Sequence, residues 1–233
     1  MNHDDRFADD LRNSLHEIDP DDWADVWVVG DVHGCRRELE RLVNRIDDGD
    51  TLFVIVGDLV RKGPDSAGVV SFVRDRDNVK SVRGNNEAKV IRGEKTLPDL
   101  SGADVEYLAS LPIGITLGDS LVVHGGIDPQ RPLAEHSAED LLTTRSLTPD
   151  DSYQRPYWFE RYAGPRRVFF GHTVLESPVE TDHAIGLDTG CVYGGELTAY
   201  HFETGETVTV EATETYQERS DEKVVRPQPQ GVR

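Results

Sequence analysis

Val26-Trp27-Val28-Val29-Gly30-Asp31-Val32-His33-Gly34 (residues 26–34) carries the pattern that decides the fold. Four apolar residues, three of them β-branched, read as a short buried strand. They run into a glycine and then into Asp31 and His33, two positions apart. On an extended segment that spacing turns both side chains to one side. The arrangement recurs downstream. Residues 52–56 lead into Gly57-Asp58, 79–82 into Arg83-Gly84-Asn85-Asn86-Glu87, 121–123 into His124-Gly125-Gly126, and 168–170 into Gly171-His172-Thr173. Amphipathic stretches separate the first strands. Residues 35–46 place Leu39, Leu42, Val43 and Ile46 on one face. Residues 64–76 open with Pro64-Asp65, a helix start, and turn Val69, Val70 and Val73 inward. A further helical stretch covers about 85–92. This alternation with short connections is an α/β signature. In such sheets ligands sit at the carboxyl ends of strands. Five strand ends thus aim polar groups at one place, and the glycines let backbone approach it closely.

Away from this centre the signals weaken. Residues 1–24 form an acidic N-terminal segment in which Phe7, Leu11, Leu15 and Ile18 recur at helical spacing, so a short amphipathic helix is expected. Residues 94–112 and 128–166 are polar, contain several prolines and read as helical and loop insertions beside the site. Residues 183–188, 196–203 and 206–211 read as late strands, with a turn at Gly205. From about Thr213 the chain is polar and is expected to be disordered. The expected division is therefore 1–24, a domain over 25–212, and a tail over 213–233.

The 233 residues suffice for one substantial core. The formal net charge is -19, and lysine occurs only at 62, 80, 89, 95 and 223. Such a surface repels duplex nucleic acid and anionic membranes. It also repels itself unless salt screens it, so a salt-rich, halophilic host is expected. No apolar run approaches the roughly 20 residues that span a bilayer. The acidic N-terminus has no signal-peptide core, which leads to an expected cytoplasmic location. Cys35 and Cys191 stand in no CxxC pattern and read as two small buried side chains. Nothing in the sequence sets an oligomeric state.

Imidazole, carboxylate and amide oxygen together suit Mn, Fe, Zn or Co better than Ca or Mg alone. A carboxylate such as Asp58 can bridge two cations. Two metals about 3.5–4 Å apart lower the pKa of a shared water to around 7 and clamp an in-line displacement at phosphorus. Each motif alone is weak, since an Asp after a strand is more often part of a capped turn. Their common position after buried strands gives the set its weight.

Taken in order, GDVHG (30–34), GDLVRKGP (57–64), RGNNE (83–87), HGG (124–126) and GHT (171–173) resemble the motifs of the calcineurin-like metallophosphoesterases. Within them the chain resembles the branch of the serine/threonine protein phosphatases and diadenosine tetraphosphatases. LDTGCVYGG (187–195) is most similar to the diadenosine tetraphosphatase and bacterial phosphatase pattern. The resemblance covers about 25–203. It implies an α/β sandwich of two mixed β-sheets flanked by helices. It also implies two divalent metal ions, Mn first with Fe, Zn and Co open, and a metal-bridging hydroxide that hydrolyses phosphoester or phosphoanhydride bonds. The implied substrate is a phosphorylated small molecule, such as a dinucleoside polyphosphate, or a phosphoprotein. By the same resemblance Asp31, His33 and Asp58 hold the first metal, and Asp58, Asn85, His124 and His172 the second.

The chain departs from the protein-phosphatase motifs GDxVDRG and GNHE at three positions. Asn86 stands where the family has its His general acid, and Arg61 where it has the Asp that orients that His. An amide has no proton to give at useful pKa, and a guanidinium accepts none. Lys62 replaces a phosphate-binding Arg with a point charge. A substrate with a good leaving group, a substitute donor, or a binding module with little turnover would each accommodate the change. Arg145 is a further candidate phosphate contact. Asp188 reads as support for His172 or as a turn former. Tyr157, Trp158 and Phe159 read as core rather than as a base-stacking surface. His136 and His183 read as structural or surface residues.

Overall fold

The computed structural model of the chain describes residues 7–150 and 152–227. Eleven strands make two sheets among these residues. In chain order the strands are β1 (Leu15–Ile18), β2 (Asp25–Val29), β3 (Thr51–Ile55), β4 (Val79–Ser81), β5 (Gly114–Leu117) and β6 (Ser120–Val123). They continue as β7 (Val168–Phe170), β8 (Val179–Glu180), β9 (Ala184–Gly186), β10 (Glu196–His201) and β11 (Thr207–Glu211). The helices are α1 (Asp9–Arg12), α2 (Arg36–Ile46), α3 (Ser66–Arg74), α4 (Asn85–Ile91), α5 (Gly102–Ser110) and α6 (Ala138–Thr143). One sheet runs β11-β10-β2-β3-β4, the other β1-β5-β6-β7-β9-β8. Both mix parallel and antiparallel pairs, as the sequence led one to expect.

Side-chain alternation along β2 and β3 explains the layering. Val26, Val28, Leu52 and Val54 turn one way and pack against Ile115, Leu117, Val122, Phe169 and Ile185 of the other sheet. Trp27, Val29, Phe53 and Ile55 turn the other way, against Leu39 and Leu42 of α2 and Val69, Val70 and Val73 of α3. The opposite outer face, with Val123, Val168 and Phe170, is covered by Trp158, Phe159 and Tyr162. Each fully buried side chain of this size contributes about 1.5–3 kcal/mol. Tyr157, Trp158 and Phe159 are thus core, as expected.

β2, β3 and β4 are parallel and in register, so their carboxyl ends lie side by side. β6, β7 and β9 are likewise parallel. The two sets meet where Gly30 follows β2, since a Cβ there would fall 2.1 Å from the Leu187 carbonyl oxygen beyond β9. Only glycine admits so close an approach.

Three expectations differ from the structure. The helix read from Phe7, Leu11, Leu15 and Ile18 is cut to Asp9–Arg12, and Leu15–Ile18 forms a strand parallel to β5. Sheet pairing there overrides a spacing that suits a helix equally well. The expected helix over 64–76 begins only at Ser66, because the Asp65 carboxylate caps it by accepting from Gly68 N at 2.8 Å. The tail does not leave the body at Thr213. Thr213 N and Tyr216 Oη both donate to Glu38 Oε1, at 2.9 and 3.1 Å, and Val225 is buried in a bridge with Leu175. A buried carboxylate needs such donors, which a polar composition does not advertise. Residues 228–233 lie outside the described part.

Candidate metal centre

Every residue other than glycine with positive φ among the described residues lies in one small region: His33, Asp58, Arg61, Lys62 and His172. Left-handed backbone at such residues is strained, and strain of this kind collects where a site requires it. Asp31, His33, Asp58 and His124 are buried there, with Asn85 and His172 partly covered. His33 Nε2 lies 3.7 Å from Asp31 Oδ2 and 3.5 Å from Asp58 Oδ2. His124 Nε2 lies 3.3 Å from Asp58 Oδ1 and 3.2 Å from Asn85 Oδ1. The His124 and His172 rings are 5.1 Å apart, and His172 N donates to both Asp31 oxygens at 3.2 Å. The six expected ligand residues are therefore brought together, with Asp58 between the His33 side and the His124 side.

Backbone contacts set the orientation of these groups. His124 Nδ1–H donates to the Val56 carbonyl at 2.9 Å, which turns Nε2 toward Asp58. His33 Nδ1 faces the Val60 carbonyl at 3.4 Å to the same effect. Gly57, at φ 98°, turns the chain between β3 and Asp58, where a Cβ would lie 2.9 Å from Gly84 N. Glu87 is wholly buried and was not singled out from the sequence. Its carboxylate accepts from Asp58 N at 2.9 Å, Val60 N at 3.1 Å and Gly84 N at 2.7 Å. A Glu in the first turn after a glycine N-cap was the available signal.

The buried titratable groups of this region perturb one another strongly. Burial, then the neighbouring Asp188, pushes the Asp31 carboxyl well above its ordinary range. Burial would raise Asp58 too, but His124 and His33 outweigh it and hold it well below. Burial, reinforced by Lys62, lowers His33 to about 3, so it is neutral. Burial opposes protonation of His124, yet Asp58 and Asp31 carry it up to about 9. Burial and then Asp58 lift Glu87 to about 7. Ligand atoms of Asp31, Asp58 and His124 lie within 4.8 Å of one another. Two carboxylates crowded in a buried place repel, and a divalent cation relieves that repulsion. The donor set fits such an ion.

The two expected phosphate contacts flank this centre. Lys62 Nζ is 2.8 Å from His33 Nε2, and Arg145 Nη2 is 2.5 Å from His172 Nε2. Asn86 is tied down on both sides: its Nδ2 donates to Asp58 Oδ2 and its Oδ1 accepts from Arg61 Nη1. Asp188 accepts from Gly190 N at 3.1 Å, the turn-forming role. His136 is structural, its Nε2 accepting from Asp128 N at 3.0 Å. His183 is half-buried at the edge of the Tyr162 ring, apart from the centre. Cys35 and Cys191 are buried free thiols.

Residues 24–210 match the family described as calcineurin-like phosphoesterase. The chain is 31% identical to the bis(5'-nucleosyl)-tetraphosphatase PrpE [asymmetrical] of Bacillus velezensis, over 81% of this chain and 93% of that one. It is 29% identical to serine/threonine-protein phosphatase 1 of Salmonella typhimurium, over 78% and 93%. The crystal structure of a candidate diadenosine tetraphosphatase superposes with a TM-score of 0.75 at 33% identity, covering 85% of this chain and 97% of that one. The clustered ligands at paired strand ends thus have a family to match, and this chain belongs to the calcineurin-like phosphoesterases, metal-dependent hydrolases of phosphate ester and anhydride bonds.

Proposed function

We propose that this chain cleaves phosphoanhydride bonds of dinucleoside polyphosphates in preference to phosphoserine esters. The observation that carries the reading is the chain of contacts Arg61 to Asn86 to Asp58. It fills the general-acid position with an amide whose two ends are already engaged. A phosphate or nucleotide departs as a stable anion and needs little protonation, whereas a serine alkoxide needs a proton. The relatives named as bis(5'-nucleosyl)-tetraphosphatases support the same choice.

In this reading Asp31, His33 and Asp58 hold one divalent ion, and Asp58, Asn85, His124 and His172 hold a second, with Mn preferred over Fe, Zn and Co. Bound ions supply Lewis-acid charge at the phosphoryl group and lower the pKa of water. The chain's own groups do the rest. Glu87 fixes the Asp58 turn through three backbone N–H groups. Lys62 offers the phosphate a point charge and Arg145 a planar fork. The acidic balance supports a salt-rich cytoplasm as the working environment. No helix among the described residues is long and apolar enough to cross a membrane.

The test is a comparison of kcat/KM for diadenosine tetraphosphate and for a phosphoserine peptide, on one Mn-loaded preparation in one salt. The anhydride is expected to be the better substrate. An equal or higher value for phosphoserine would overturn the reading.

A further inference from the structure

Cations and tyrosine rings alternate in a row beside the metal centre. At one end Lys62, next to His33, sets Nζ 5.4 Å from the centre of the Tyr193 ring. At the other Arg145, next to His172, sets its guanidinium 4.3 Å from the centre of the Tyr153 ring. Arg219 joins the two ends, 4.6 Å from the Tyr193 ring and 5.3 Å from the Tyr153 ring. It comes from the tail, and nothing in the sequence drew attention to it.

Arg219 is held firmly but not used up. Its Nη2 donates to Tyr153 Oη at 2.6 Å and its Nε to the Lys223 carbonyl at 2.9 Å. A guanidinium carries five N–H groups, so Nη1 and one hydrogen on Nη2 are left over. Arg12, Arg36, Arg74, Arg92 and Arg131 all form salt bridges with carboxylates. Arg219 forms none among the described residues, nor do Arg41, Arg45, Arg76 and Arg167; Arg219 differs from these in standing in the row with Lys62 and Arg145 beside the metal centre. A half-buried guanidinium, fixed between two rings and left without a carboxylate in a protein of charge -19, is prepared for an anion from outside. Its planar fork matches phosphate. Both rings already lie under cations, so the row is built to read phosphate rather than a stacked base.

We propose that Arg219, held between Tyr153 and Tyr193, binds a phosphate of the substrate beyond the one that is cleaved. The substrate class is then a chain of linked phosphates long enough to touch the metal centre and Arg219 together. This rests on the phosphoanhydride reading above and assigns to the tail a share in selecting the substrate.

The experiment measures a ratio. Metal-loaded wild type, Arg219→Gln and Arg219→Lys are titrated calorimetrically with inorganic tripolyphosphate and with orthophosphate. The same proteins are assayed for kcat/KM on diadenosine tetraphosphate and p-nitrophenyl phosphate. The tripolyphosphate-to-orthophosphate affinity ratio is expected to fall at least about tenfold in Arg219→Gln, the loss of one charge-assisted hydrogen bond. Arg219→Lys should recover part of it, and the kcat/KM ratio should fall in parallel. An unchanged affinity ratio, or an equal loss for both anions, overturns the proposal. If wild type does not cleave diadenosine tetraphosphate while the affinity ratio still falls, the phosphoanhydride reading fails and the subsite stands.

Discussion

Asp58 shows how much one residue carries. Its φ is 53°, its backbone N–H is spent on Glu87, and its Oδ1 accepts from Asn86 N at 2.9 Å. That leaves its two oxygens facing His33 on one side and His124 on the other. If Asp58 serves two ions, Asp58→Ala should harm hydrolysis more than loss of a residue that only supports a ligand. Turnover of p-nitrophenyl phosphate by Mn-loaded protein is expected to fall by more than about 100-fold. Retention of a tenth of the activity in a variant with a native circular dichroism spectrum would contradict the bridging role. The clustering of Asp31, His33, Asp58, Asn85, His124 and His172 was legible in the sequence because their side-chain chemistry and strand-end position coincide. Glu87 was not, because its work is done through backbone hydrogen bonds. Arg219, Tyr153 and Tyr193 were not, because only the returning tail brings them together.

At the scale of elements, the strongly periodic pieces read correctly and the ambiguous ones did not. β2, β3, β7, α2 and α4 fall within a residue or two of their expected limits. β1 was misread because four apolar residues spaced by three and four satisfy a helix, and only its pairing with β5 reveals a strand. α6 is a short helix whose stability rests on its first turn. Ser137 Oγ accepts from Asp140 N at 3.2 Å, and the Asp140 carboxylate accepts in return from Ser137 N at 2.7 Å and from Arg131 at 2.8 Å. Burial raises the Asp140 pKa, but Arg131 and Ser137 outweigh it and hold the group down at about 2. A depressed carboxyl stabilises the fold above its ordinary pKa of 3.8 and loses that contribution as pH falls through about 2. Asp140→Asn should therefore cost about 1 kcal/mol near neutral pH. In urea melts the difference from wild type should shrink as pH drops from about 5 toward 2. A difference that stayed constant across that range would show that the charge contributes nothing.

Over the whole molecule the net charge of -19 sets the terms. Exposed acidic groups repel across about 10 Å at 0.1 M salt but only about 3 Å at 1 M. The melting temperature should rise as KCl is taken from about 0.1 M to about 2 M, and a flat or falling curve would remove the argument for a salt-rich host. The fold class was legible because the alternation of strands and helices is periodic. The course of the tail was not, because its anchors are a handful of scattered contacts with Glu38, Val192 and Leu175. That returning tail also has a place in time. A chain is synthesised from its N-terminus, and folding can begin on the part already made. All six candidate ligands lie between residues 31 and 172, yet β2 gains its neighbour β10 only with residues 196–201. The donors to Glu38 follow at 213 and 216, and Arg219 comes later still. The growing chain thus holds its candidate ligands before it holds the arm that would choose what they act upon.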